Sequence, residues 1–189
     1  MGKRVFKSVL LVIVLCATLI SLLTPPAFAG RVQHIAAVQM HVGKFIRTMF
    51  TYSVPGDVAN FPLAGRYMTS ETEAKWRAWY SGWLQNAGFT KSVSDIEVGQ
   101  VIVNPVIGPG GEIKVRAGVV TYTSILGQDF ESSGKVYVVL VPEGDGYGVN
   151  SVRHESDEGG VFEVSESGVV VKSAIGEQNF NRMVLDAGS

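Results

Sequence analysis

The chain has 189 residues, with 16 basic against 17 acidic side chains and a single cysteine. Its basic residues are scattered, which argues against a nucleic-acid surface, where a basic stripe is needed. One cysteine leaves no internal disulfide, and the length suffices for one domain whose core needs no such staple.

The first 29 residues read as a secretory signal. Lys3, Arg4 and Lys7 open it, the 15 residues from Val9 to Leu23 form an apolar run, and Pro25-Pro26 precede Ala27-Phe28-Ala29. A small-x-small triplet there marks a cleavage site, and the run is shorter than the roughly 20 residues a spanning helix wants. Cleavage puts the mature start at Gly30, leaving 13 basic against 17 acidic residues. An uncleaved segment would instead be a membrane anchor. Cys16 follows Leu15 in mid-run and so does not fit a lipoprotein site.

From Val32 to about Tyr52, Ile35, Val38, Val42, Phe45, Met49 and Tyr52 recur three or four apart. That spacing predicts a helix with one apolar stripe. Val54-Pro55-Gly56-Asp57 ends it, and a shorter helical piece from Val58 to about Tyr67 carries Phe61, Leu63 and Ala64 inward. A third helix is marked by the Ser70-x-x-Glu73 capping box and by Gly88 as its stop. Within it Trp76, Trp79, Tyr80 and Trp83 occupy one arc of about 100°.

Extended segments follow. Ile96-Glu97-Val98 and Val101-Ile102-Val103 read as one strand bulged at Gly99. Glu112 to Leu126 alternates, with Ile113, Val115, Ala117 and Val119 on one side and Lys114 and Arg116 on the other. Ser132-Ser133-Gly134 is read as a turn into a strand from Lys135 to Val141, and Tyr147 to His154 makes another. Val161–Val164 and Val169–Val171 suggest a terminal hairpin that leans on the domain or on a partner. The expected organisation is therefore a signal at 1–29, a helix-plus-sheet domain at 30–155, and a hairpin and tail at 156–189.

Helices first and an antiparallel sheet after them predict an α+β fold, the helices packed on a curved antiparallel sheet of about four to six strands. The inner sheet face is the expected cover for the aromatic stripe. This order of elements resembles the nuclear-transport-factor-two-like (ketosteroid-isomerase-like) cone over about Val32 to Glu155. Phe45-Ile46-Arg47-Thr48-Met49-Phe50-Thr51-Tyr52, and Trp79 to Gly88 leading into Phe89, are similar to extracytoplasmic conjugation proteins. These are the TcpC-like family and the inner-membrane core component of type IV secretion. Those families keep an N-terminal anchor, whereas Ala27-Phe28-Ala29 here reads as cleavable.

The resemblance implies a non-catalytic binding or assembly module that meets a protein partner or its own copies. The alternative it leaves open is a small-ligand binder or a cavity enzyme of isomerase or dehydratase type. Cavity candidates are Trp76, Trp79, Tyr80, Trp83, Tyr52, Tyr67 and Tyr122, and His154 joins the tyrosines as an acid or base; none matches a catalytic motif. The aromatics are expected to fill the cone, leaving a small apolar cavity. No cofactor is called for. His34 and His41 lie about 10 Å apart along a helix, too far to share one metal. GQDFESSGK, from Gly127 to Lys135, has six residues between its glycines where a phosphate loop needs four. Asp145 is a lone carboxylate, not a calcium loop.

Overall fold

The computed structural model describes residues 26–172 except 55, 57 and 88–91, with side chains from His34 onward apart from those of 86 and 87. The expected signal up to Pro25, the helix stop at Gly88, Phe89 and the tail from residue 173 lie outside the described residues.

Helix α1 runs Pro26–Phe50, its stripe burying Val42, Phe45, Ile46 and Met49. Residues up to Val38 and those from Gln39 on form separate units, and the second carries everything that follows. Helix α2 is Asn60–Gly65, with Phe61 and Ala64 buried; Leu63, expected inward, is exposed. Pro62 lies in its first turn, where an absent N–H costs nothing. Helix α3 is Ser70–Ala87.

Among the described residues, seven antiparallel strands form one curled sheet in chain order. They are β1 Tyr52–Val54, β2 Ser92–Val103, β3 Ile113–Ile125, β4 Gln128–Glu143, β5 Gly146–Ser156, β6 Val161–Ser165 and β7 Gly168–Lys172. The class is the expected α+β, with one strand more than the expected range. The extra strand is β1. Tyr52, expected at the end of the first helix, instead pairs with Ser94, and Val54 pairs with Ser92. Three residues are too few for alternation to declare a strand.

The β2 bulge falls where Gly99 suggested, between Val98 and Val101. The hairpin joining β3 and β4 does not turn at Ser132-Ser133-Gly134. It turns at Leu126-Gly127, both at positive φ, with Ile125 opposite Gln128. A two-residue loop of that conformation matches the twist of its strands. Ser132-Ser133-Gly134 stays extended because Ser132 pairs with Thr121 on one side and Gly134 with Ser156 on the other. The terminal hairpin continues the sheet: Ser151–Glu155 pair with β6, and Val164 is fully buried.

Alternation selects the inner face, with Ile113, Val115, Ala117 and Val119 of β3 and Val136, Val138 and Leu140 of β4 buried. Helix α3 runs against β5, β6 and β7. Its N-terminus is tied down by backbone bonds from Thr69 N–H to the Val149 carbonyl and from Val149 N–H to the Tyr67 carbonyl. The Thr72 hydroxyl adds a 2.8 Å bond to the Asn150 carbonyl.

The capping residue of α3 is Thr69, not Ser70. The Thr69 hydroxyl accepts from the Thr72 amide at 3.4 Å and donates to the Thr72 hydroxyl at 3.0 Å. Ser70 instead turns its amide and hydroxyl to the Glu143 carboxylate, and Glu73 pairs with Arg77. Replacing a capping threonine costs about 1 kcal/mol. In urea unfolding Thr69→Ala should therefore lower stability by about that amount or more, and Ser70→Ala by clearly less. Equal losses would restore the expected capping box.

Candidate functional site

The aromatic stripe of α3 is covered unevenly. Trp76 is 2% exposed, and its indole N–H donates to the Phe61 carbonyl at 2.8 Å. One and two turns further on, Trp79, Tyr80 and Trp83 are only half-buried. The three indoles form a ladder: Trp76 and Trp79 stack at 5.3 Å and 22°, Trp79 and Trp83 at 6.0 Å and 14°. Phe61 meets this ladder from α2, edge-on to Trp76 and Trp83 and stacked on Tyr80 at 5.7 Å.

Between the ladder and the sheet lies a cavity of about 530 Å³. This is larger than the filled cone expected from the sequence, and falls in the range of ligand pockets. Its helical wall is Met49, Phe50, Phe61, Trp76, Trp79 and Trp83. The sheet wall carries Tyr52, Ser94, Thr121, Thr123, Ser132, His154, Phe162 and Val171. The fold makes this second wall hydroxyl-rich by register: Ser94 lies opposite Thr123, and Thr121 opposite Ser132.

The space exists because β4 places small residues on its inner face. Gly134 leaves room for His154 from the neighbouring strand: a Cβ at Gly134 would lie 2.9 Å from His154 Nε2 and overlap the Glu155 carbonyl. Of the expected cavity residues, Trp76, Trp79, Trp83 and Tyr52 meet there. Tyr80 lies beside them against Phe61. Tyr67 packs elsewhere, on His41 at 5.2 Å and Phe45 at 6.0 Å. Tyr122 is on the outer face, because Thr121 and Thr123 take the inward positions of β3. Thr121, Thr123 and Ser132 were not anticipated, although extending the β3 alternation past Val119 would have found the two threonines.

Two groups in the wall titrate. Burial lowers the His154 pKa and keeps its imidazole neutral; its ring lies edge-on to Phe50 at 5.4 Å. Burial raises the Tyr52 phenol, partly offset by hydrogen bonds with Ser92 and Ser94. Among the described residues, none pairs by a hydrogen bond with the buried His154 Nε2 and Thr121 Oγ1, or with His41 Nε2 outside the cavity. Among the described residues, no group of His, Cys, Asp and Glu is placed to hold a metal ion, and no helix is long and apolar enough to cross a membrane.

No family model and no curated protein matches the sequence. Among solved structures, the chain is similar to the periplasmic domain of DotI, with a TM-score of 0.52 at 13% identity over 72% of this chain and 94% of that one. It is also similar to CagV, a VirB8 homolog of the type IV secretion system of Helicobacter pylori strain 26695, with a TM-score of 0.47 at 12% identity over 64% and 98%. At these identities the likeness is one of fold, and the DotI match carries it. The shared fold is the one described above, helices packed on a curled antiparallel sheet, as the resemblance read from the sequence implied.

A histidine whose pKa is depressed in the folded state binds fewer protons than in the unfolded chain, so stability rises with pH. His154 and His41 are both lowered by desolvation. Their contribution is complete above the ordinary histidine pKa of about 6.5 and is lost as pH falls through the folded values. The urea midpoint should thus fall between pH 7.5 and 5.5, and His154→Gln should flatten that slope. A wild-type midpoint constant across this window would contradict buried neutral histidines.

Proposed function

We infer that this protein is an extracytoplasmic, non-catalytic assembly module serving a conjugation or secretion apparatus of the type IV kind. The observation that carries the reading is the DotI match, because the shared cone spans nearly the whole of a periplasmic domain. The sequence supports it independently, through the run Phe45–Tyr52 and the aromatic third helix. On this reading the mature chain begins at Gly30, after export and cleavage at Ala27-Phe28-Ala29.

Assembly needs a surface that accepts protein. Among the described residues no strand pairs with the outer edge of β7, where Val170 is 46% exposed. Such an edge offers backbone donors and acceptors to an added strand, from a partner or a second copy. Among the described residues, the wall of the cavity supplies no carboxylate beside His154. Binding is therefore favoured over acid–base chemistry, in which a titrating group is matched to a reacting proton.

A strain lacking the gene should lose DNA transfer or protein secretion by its apparatus. Wild-type complementation should restore it, whereas Val170→Lys, which blunts the edge with a charge, should restore it poorly at equal protein level. Unimpaired transfer and secretion in the deletion strain would refute the reading.

A further inference from the structure

We propose that the cavity between α3 and the sheet binds a neutral amphiphile, an uncharged molecule with an apolar ring or chain body and hydrogen-bonding groups towards one side. This goes beyond assembly through outer surfaces and does not depend on it.

The size of the cavity admits a small organic molecule. Its two walls differ in chemistry. On the helical side Trp79 and Trp83 are nearly parallel and only half covered by the chain. Phe162 meets Trp79 edge-on at 5.4 Å from the sheet side. Large aromatics gain by burying their faces, so a ladder left half-covered is a platform for an apolar body.

The opposite wall departs from its own strand pattern. Inward positions of β3 run Ile113, Val115, Ala117, Val119 and then change to Thr121 and Thr123. With Ser94 and Ser132 beside them in register, four hydroxyls face the aromatics across adjacent strands. Ser94 is satisfied by Tyr52, but a wall serving only as core has no use for an unpaired hydroxyl, because buried polar groups cost stability unless they are hydrogen-bonded. Among the described residues, none gives such a bond to Thr121 Oγ1 or His154 Nε2.

The charge of the ligand follows from the lining. Among the described residues it contains no Lys, Arg, Asp or Glu. A carboxylate, phosphate or ammonium entering it would lose hydration and find no counter-charge. Hydroxyl, carbonyl or amide groups, by contrast, find partners on the serine and threonine side.

The test uses the mature chain and two probes that share one ring skeleton, neutral phenylnaphthylamine and its anionic sulfonate, anilinonaphthalene sulfonate. The neutral probe should bind saturably and one to one, with energy transfer from the tryptophans. The sulfonate should bind weaker by about tenfold or more, the scale of an uncompensated charge. Ser132→Phe and Val171→Trp fill the cavity from two sides, and each should weaken the neutral probe by a similar factor. Val171 is half exposed, so its replacement keeps the fold even where Ser132→Phe does not; circular dichroism checks this. Lys114→Ala, on the outer face, should leave binding unchanged. Absent or unsaturable binding of the neutral probe, equal affinity for the sulfonate, or full affinity in a folded Val171→Trp would each overturn the proposal.

Discussion

The arrangement of this protein depends on one buried hydrogen bond, from the indole N–H of Trp76 to the carbonyl of Phe61. Tryptophan is seldom buried whole because it is large, and when it is, its N–H must find an acceptor away from water. The short helix α2 supplies that acceptor and brings the Phe61 ring against Tyr52, Tyr80 and Trp83 as well. Together with the Thr72 bond to the Asn150 carbonyl, it fixes the first half of α3 over β5. The second half holds to its neighbours through ring contacts, and there the stripe parts from the sheet enough to leave a cavity.

Much of the architecture was legible in the sequence because periodicity reports which side of an element is apolar. The stripe of α1, the four aromatics of α3, the β2 bulge and the alternation of β3 all follow from spacing. Periodicity does not report how far the opposing surface extends. The arc of Trp76, Trp79, Tyr80 and Trp83 therefore suggested a filled cone, whereas only Trp76 is fully covered. Ser132-Ser133-Gly134 has turn composition, yet pairing on both edges holds it extended and makes it part of the floor of the site. Glycine serves there for space rather than for a bend, a distinction that composition does not carry. Tyr122 was misplaced for a simpler reason: the inward series 113, 115, 117 and 119 already excluded an even-numbered position. Thr69 lost the cap to Ser70 in the sequence because the Glu143 carboxylate that draws Ser70 away lies 73 residues later.

The outer and inner surfaces of the sheet thus differ in chemistry. Among the described residues, no strand covers the outer edge of β7, and Lys114 and Arg116 are exposed on the outer face of the sheet. The cavity, by contrast, is lined among the described residues by uncharged side chains, aromatic on one wall and hydroxyl-bearing on the other. The outer surface and the cavity behind it draw on alternate residues of the same strands, so the chemistry of one can change without the other.

The central claim is that one tryptophan anchors α3 while the two beyond it border open space. Hydrogen exchange of the three indole N–H groups, followed by nuclear magnetic resonance, tests it most directly. The Trp76 signal should exchange only with global unfolding, and those of Trp79 and Trp83 orders of magnitude faster, as expected for groups outside the protected core. Equal, strong protection of all three would mean a filled cone without a cavity, and would contradict the account.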